Sequence, residues 1–405
     1  MAVSHSSGTL TWRTRAAAKA EIWTRPTPGR IVVLLALAAG LAVGVWALAV
    51  RLGQGLSSTW LTSITPWGAW VAFYIFFVGL SAGAFLLSSA VYVLGRHDLE
   101  PVGREALVVA ILSMGAALGF IALDLGRIDR ALAAFFFWNP TSVLAWEMRF
   151  YILYVAILAA ELWLSLRAGR DARARRWLKV LGISGIPIAI FGVHGGTGLL
   201  FAVLKARPLW NSGLYPVLFV VSALVSGTAL VTLLYALRPV VWRRNVDRSL
   251  LSSLSRTLLA FLAVEGGLEL FEYLVAAYRG EPLEGQALRL MWSGDLAWLF
   301  WGVQVLLGMV VPTVILLRRP DRPAAVAAGA GLVIAGILAV RFNIVLPQML
   351  APVMEGLPAG VYLPSAVEWG ASLGILSAFT GTYLASGTWL PLHDGEATDA
   401  GREDR

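Results

Sequence analysis

Ionisable side chains inside long apolar segments are the residues of this sequence most able to do chemistry, because such groups are costly at membrane depth and usually face a cavity or each other. His194 is the only one of four histidines within an apolar segment, and glycines crowd around it after Pro187. A break or wide turn there would open room for a ligand. A neutral imidazole can donate to a quinone carbonyl and pass a proton. A hydrogen-bonded interior histidine with no ligand is the alternative, and the sequence leaves both open.

A second candidate group lies around residue 147. Glu147 and Tyr151 are four residues apart and share a helix face, whereas Glu147 and Arg149 are two apart and diverge. We therefore expect Glu147 and Arg149 to find partners on other helices. Asp124 lies at the same predicted end of its own segment. Together these positions predict a polar pocket nearer one membrane surface.

Three carboxylates form a third group. Glu265, Glu269 and Glu272 follow helical spacing and form one stripe from mid-membrane outward, and Asp295 is expected in the next segment. Three such groups in a low dielectric would not all ionise together. They are candidates for proton transfer, with structural carboxylates capped by hydroxyls or Arg341 as the alternative.

The chain cannot carry electrons over a distance by itself. It has no cysteine, which excludes thiolate-held iron-sulfur clusters, and a haem held by two membrane histidines is not expected with only His194 in a span. We predict no metal site. Any redox role must use a lipid-soluble carrier and a partner protein.

The elements that must position these residues are membrane helices. The composition is 58% hydrophobic and 14% charged over 405 residues, which is typical of a polytopic bundle. Backbone groups in hydrocarbon must be satisfied internally, so we predict an all-α integral membrane protein with about ten spans. The predicted spans are 31–51, 67–95, 103–125, 142–168, 177–204, 210–237, 250–279, 289–317, 323–345 and 364–390.

Charge distribution predicts the orientation. The net charge of +8 is first of all a topology signal in such a protein, not evidence for nucleic acid. With ten spans, about two thirds of the Lys and Arg residues fall on the side that holds both termini. The prediction is a cytoplasmic tail at 1–30, a transmembrane domain at 31–390 and a cytoplasmic tail at 391–405. No cleavable signal is expected, because the first apolar run is long enough to span.

Several motifs in order along the chain resemble the NrfD family, the membrane subunits of polysulfide reductase and related respiratory complexes. They are PWGAW at 66–70, FVGLSAGA at 77–84, VHGGTG at 193–198, PLW at 208–210, SGTA at 226–229, RFN at 341–343 and LPSAVEW at 363–369. The resemblance covers most of the chain. It implies two four-helix bundles, spans 2–5 and 6–9, flanked by the first and last helices.

The resemblance also implies a function. Members of this family exchange electrons between a membrane quinone and a periplasmic ferredoxin-like iron-sulfur subunit, which serves a molybdopterin enzyme or a cytochrome. The chain would then be the quinone-interacting anchor of a respiratory complex in the bacterial inner membrane, taking menaquinone or ubiquinone, and proton translocation is left open. A pocket in the first bundle, toward the outer face, is implied. Its candidate contacts are His194, Arg149, Glu147, Tyr151 and Trp67, with Tyr154 as an alternative to Tyr151.

A different class of function fits some of the same residues. Broken helices and buried carboxylates also occur in transporters. The chain would then move an ion or solute along the carboxylates of span seven. Copurification with an iron-sulfur protein favours the quinone role, whereas uptake by a solitary protein favours transport.

Overall fold

The fold is all helical. The computed structural model describes residues 27–93, 95, 99–131, 133–167, 171–354, 356–390 and 392, and within these ranges no strand is present. Most of the two predicted cytoplasmic tails, 1–30 and 391–405, lies outside the described residues.

Ten long helices follow one another along the chain. They are α1 Pro28–Gln54, α2 Ala69–Val93, α3 Glu100–Asp124, α4 Val143–Ser165, α5 Ala172–Ala202, α6 Tyr215–Val241, α7 Arg248–Arg279, α8 Trp298–Arg318, α9 Pro323–Leu350 and α10 Ala366–Trp389. A short helix, Pro282–Trp292, lies between α7 and α8. Shorter helical turns occur at Gly55–Ser58, Ile128–Arg130 and Ala133–Phe136.

Eight of these described helices are long and apolar enough to cross a membrane. The other two, α7 and α10, have a similar length but more polar sequences, and α7 carries the carboxylates Glu265, Glu269 and Glu272. An all-α membrane fold is therefore confirmed. The number of ten spans stays a prediction.

The helices between α1 and α10 pack as two groups, α2–α5 and α6–α9, and α2 forms the main contact between them. In the first group α2 packs on α3 and α5, and α4 packs on both α3 and α5. In the second group α6 packs on α7 and α9, and α8 packs on α9. The groups meet where α2 crosses α6, and Gly83 lies against Gly227 there, so the two backbones approach closely. Helices α1 and α10 pair with each other and lie against α3.

Helix α5 does not break after Pro187. Residues Ile188–His194 instead form a π-helical segment, which has a wider turn, and the α-helix resumes at Gly195. π-helical segments are rare in proteins as a whole, and those that occur often lie at functional sites. Here the segment ends on His194, the residue singled out from the sequence.

The start of the eighth span was predicted wrongly. The apolar run from 289 looked continuous, but Ser293 and Gly294 end the short helix at Trp292, and α8 begins only at Trp298. Asp295 therefore lies in the connecting loop and is exposed, not inside a helix. Window hydropathy misses this interruption because Leu and Trp residues flank it on both sides.

A buried ion pair joins three helices at the end of the bundle predicted to face the cytoplasm. Arg238 on α6 and Glu105 on α3 are fully buried, 2.7 Å apart, and the Tyr383 hydroxyl on α10 donates to Glu105 at 2.5 Å. Arg238 also donates to the Pro101 carbonyl at 2.9 Å. This cluster fixes the positions of α3, α6 and α10 relative to one another.

Candidate quinone site

A buried network of hydroxyl groups surrounds Glu147 inside the first bundle. Its Oε1 accepts hydrogen bonds from Thr197 at 2.5 Å, Tyr151 at 2.7 Å and Tyr74 at 3.3 Å. The two tyrosine hydroxyls are 2.5 Å apart, and Tyr151 also lies 3.0 Å from the Thr197 hydroxyl. These four side chains come from α2, α4 and α5, so the cluster exists only when the bundle is assembled.

The other carboxylate oxygen of Glu147 has a different environment. Oε2 is buried and has no hydrogen-bond partner among the described residues. A buried acceptor without a partner costs roughly 1–3 kcal/mol. Glu147 therefore has one oxygen held by three hydroxyls and one left for a proton, a water molecule or a ligand.

His194 lies one helical turn before Thr197 and faces the second bundle. Its ring is 1% exposed, and its Nε2 is 3.4 Å from Nη2 of Arg341 on α9. The same Nη2 donates to the Ser222 hydroxyl on α6 at 2.6 Å, and the guanidinium lies 4.8 Å above the Phe219 ring. Nδ1 of His194 is buried and has no partner within the described part of the chain. Gly79 leaves the space that the ring occupies, because a Cβ there would be 3.1 Å from Nε2.

Trp67 belongs to an aromatic row that leads to His194. Its ring stacks on Trp210 with centroids 5.5 Å apart and meets Phe201 edge-on at 5.6 Å. Phe201 in turn lies 5.6 Å from Phe219, which is 5.2 Å from the His194 ring. The row connects the start of α2, where Trp67 is half-buried, to the interior.

Arg149 does not join this group. It is partly exposed, donates to the Ala145 carbonyl at 2.6 Å and lies 4.7 Å over the Trp138 ring. The two-residue offset from Glu147 had predicted this divergence.

The carboxylates of α7 lie in the second bundle. Glu265 is fully buried and neither oxygen has a hydrogen-bond partner among the described residues. Arg341 is its cationic neighbour and also that of Glu269. Gln304 donates to Glu269 at 2.9 Å and accepts from Asn343 at 2.7 Å. The stripe predicted from spacing is therefore buried and adjoins the cation that contacts His194.

Glu272 is the outermost member of the stripe. It accepts a hydrogen bond from Ser212 at 2.9 Å and is 7% exposed. A crevice of about 10 Å³ lies between Glu269 and Glu272 and is bordered by Tyr215 and Tyr273. That volume is about that of one water-sized sphere.

Asp124 lies elsewhere, at the contact of α3 with α1 and α10. Its charged neighbours are Arg51 and Glu368, and its Oδ1 is buried without a hydrogen-bond partner in the described structure. Arg51 donates to the Leu123 carbonyl at 2.9 Å. Tyr362, in the loop before α10, donates to Glu368 at 2.5 Å, and burial together with that carboxylate raises the pKa of its hydroxyl.

Three participants were not predicted from the sequence: Tyr74, Thr197 and Ser222. Tyr74 and Thr197 are hydroxyl residues on helices whose neighbours only the packing reveals. A signal was present for Tyr74, since Tyr74, Ser81 and Ser88 recur every seven residues along α2 and so share a face. Ser222 carries no such signal.

Buried polar side chains also form a stripe along α4, comparable to the carboxylate stripe of α7, which runs from Glu147 toward the opposite end of the helix. After Glu147 and Tyr151 come Tyr154 and Glu161, all buried. Tyr154 donates to the Ser81 carbonyl at 3.0 Å. Both oxygens of Glu161 lack a hydrogen-bond partner among the residues described. Polar side chains therefore occupy the first bundle over most of its length.

The arrangement as a whole suits hydrogen bonding and proton transfer between buried side chains. No group of three or more His, Cys, Asp or Glu side chains among the described residues could hold a metal ion. The fold and these clusters define a class: a polytopic helical membrane protein with buried polar clusters between its helices.

Residues 57–352 match the family described as Polysulphide reductase, NrfD, and the chain belongs to that family. A selenate reductase subunit of Mesobacillus selenatarsenatis is 36% identical over 82% of this chain and 88% of its own length. A putative dimethyl sulfoxide reductase membrane subunit of Halobacterium salinarum is 30% identical over 90% of this chain and 93% of its own. The Hdr-like menaquinol oxidoreductase integral membrane subunit of Archaeoglobus fulgidus is 26% identical over 85% and 89%.

Proposed function

We propose that this chain is the membrane anchor and quinone-interacting subunit of a respiratory oxidoreductase complex. The observation that carries the proposal is that two buried polar groups without a hydrogen-bond partner among the described residues, Oε2 of Glu147 and Nδ1 of His194, are linked through Thr197, which donates to Glu147 and lies one helical turn after His194 on α5. A quinone head group presents two carbonyl oxygens, and quinol presents two hydroxyls. An acceptor and a donor on facing helices can bind both forms.

Each residue would have a distinct role in binding the quinone head group or accepting its proton. Thr197, Tyr151 and Tyr74 hold Oε1 of Glu147 and stabilise its carboxylate form through hydrogen bonds. Oε2 can then accept a proton from quinol. His194 contacts the second oxygen of the head group. Trp67 borders the aromatic row on the outer side. Arg149 is given no role here, and its described contacts are with the Ala145 carbonyl and the Trp138 ring.

Quinol oxidation releases two electrons and two protons. Since the chain has no cysteine, the electrons would leave to a partner, for which a periplasmic ferredoxin-like iron-sulfur subunit is proposed, followed by a molybdopterin enzyme or cytochrome. The names of the relatives, which include a selenate reductase subunit and a menaquinol oxidoreductase subunit, support such complexes and favour menaquinone over ubiquinone. Electron flow in either direction suits the site.

Protons would move through buried carboxylates. Glu265, Glu269 and Glu272 extend from Arg341 to a crevice near the predicted outer surface and form the better-supported route. Asp124 is a separate candidate at the α1–α3–α10 contact. Asp295 is not part of a route, because it is exposed in a loop. The proposed location is the bacterial inner membrane with both termini in the cytoplasm.

The test uses the complex purified from membranes with its native partners. His194→Ala should abolish quinol-dependent reduction of the partner, and Thr197→Val should lower it at unchanged assembly. His97→Ala, at a histidine predicted in a loop, is the matched control. Wild-type complex should also contain about one extractable quinone per chain. Unchanged turnover in both site variants would overturn the assignment.

The transport alternative gives a different result in the same preparations. A transporter purifies without redox subunits, and its substrate uptake in vesicles would fall in Glu269→Gln while quinol chemistry is absent. Uptake without bound quinone would replace the proposal.

A further inference from the structure

The contact between His194 and Arg341 joins the two bundles at their centre. His194 belongs to α5 and Arg341 to α9, and both are buried, at 1% and 0% exposure. The Arg341 Nη2 lies 2.6 Å from the Ser222 hydroxyl, which anchors it, and 3.4 Å from Nε2 of His194. The guanidinium therefore approaches the imidazole from the Nε2 side.

An arginine side chain offers only N–H donors and never accepts a hydrogen bond. A neutral histidine has one N–H and one bare nitrogen, and the neighbour of one nitrogen decides the tautomer. With Arg341 beside Nε2, a proton on Nε2 would set two donors against each other. The bare nitrogen must then be Nε2, and the proton lies on Nδ1.

The charges around the pair favour the same state. A doubly cationic contact between imidazolium and guanidinium is unfavourable in a buried site. The groups that face Arg341 from α7 are Glu265 and Glu269, and Tyr215 faces it from α6. These carboxylates balance the guanidinium, not the imidazole, so His194 stays neutral while Arg341 keeps its charge.

We propose that Arg341 is a positioning residue that fixes His194 as the neutral Nδ1–H tautomer. Only the identity of the ligand rests on the proposed function. Nδ1–H of His194 has no partner among the described residues, and it is the group that would donate to a quinone carbonyl. A consequence follows for proton transfer. His194 has no free basic nitrogen, so it donates a hydrogen bond and accepts neither of the two quinol protons, which would leave one after the other through Glu147.

Nitrogen NMR of the full-length chain tests the tautomer without any quinone. The chain contains only four histidines, so [15N]histidine labelling in lipid nanodiscs gives few signals, and His194→Gln assigns the one of interest. We expect an N–H at Nδ1 and none at Nε2, unchanged as the pH is lowered through the range in which ordinary histidines become charged. An N–H at Nε2, or an imidazolium at neutral pH, would overturn the proposal.

Variants at Arg341 separate its role from simple packing. Arg341→Lys keeps a buried cation that only donates, so the Nδ1–H state should persist. Arg341→Met removes the donor, and a signal from Nε2–H should appear. Arg256→Met, at an exposed arginine of α7, is the matched control and should change nothing. If Arg341→Met does not assemble, Ser222→Ala removes the anchor of the guanidinium and should shift the Nε2 resonance. An unchanged spectrum in both Arg341→Met and Ser222→Ala contradicts the proposal.

Adding a short-chain quinone to the labelled wild-type chain separates this inference from the proposed function. A shift of the Nδ1 resonance supports both. An Nδ1–H tautomer that does not respond to the quinone would retain the role of Arg341 and count against His194 as a quinone contact. An Nε2–H tautomer that does respond would retain the quinone site and remove the role of Arg341.

Discussion

Tyr151→Phe is the substitution that most sharply tests the network around Glu147. The hydroxyl of Tyr151 lies 2.7 Å from Glu147, 2.5 Å from Tyr74 and 3.0 Å from Thr197, and the phenylalanine ring fills the same space. A hydrogen bond to a charged group contributes about 1.5–3 kcal/mol. Its loss destabilises the carboxylate that accepts the proton. Since about 1.4 kcal/mol corresponds to a factor of ten, quinol oxidation should slow about 10- to 150-fold.

A matched control exists at the opposite end of the bundle. Tyr383→Phe likewise removes a short hydrogen bond from a tyrosine hydroxyl to a glutamate, here the 2.5 Å bond to Glu105. It should lower the thermal stability of the complex to a similar extent. Turnover per folded complex should stay at the wild-type value, because Tyr383 lies outside the proposed site.

The assay measures quinol-dependent reduction of the partner, normalised to folded complex by size-exclusion chromatography, alongside thermal unfolding for each variant. Slow turnover in Tyr151→Phe with normal turnover in Tyr383→Phe is the expected pattern. Equal loss of activity in both variants would attribute the effect to stability alone. Full activity in Tyr151→Phe would refute the role of the network.

Three further predictions concern other parts of the molecule. Glu105→Ala leaves Arg238 buried without its carboxylate and should destabilise the protein by about 3–5 kcal/mol, measured as a lower unfolding temperature. An unchanged unfolding temperature would show that this ion pair does not stabilise the fold. Trp67→Leu should raise the KM for quinol with little effect on kcat, and a reversed pattern would argue against Trp67 as a quinone contact. Glu265→Gln removes a counter-charge of Arg341 and should lower thermal stability, while unaltered stability would mean that Glu269 alone balances the guanidinium.

The sequence predicted what depends on spacing along one helix. Glu147 and Tyr151 share a face and do hydrogen-bond, Arg149 diverges from them as expected, and the Glu265 stripe is buried. Each of these follows from 3.6 residues per turn. The all-helical membrane fold and the family follow from composition and ordered motifs in the same way.

What the sequence could not supply is which helices meet. Tyr74 and Thr197 complete the Glu147 network from α2 and α5, and Ser222 anchors Arg341 from α6, all by contacts between segments far apart in the chain. Periodicity carries no information about such neighbours. Asp295 was misplaced for a local reason, since a break of a few residues between Trp292 and Trp298, inside a long apolar run, barely changes the average hydropathy.

Photoaffinity labelling of the native complex with a photoreactive quinone, followed by peptide mapping, tests the central claim most directly. The account predicts label on the first bundle, in peptides from α2, α4 and α5 around Tyr74, Tyr151 and His194, competed away by excess unlabelled quinone. Competed label confined to α7, or to the α1–α3–α10 contact around Asp124, would contradict it.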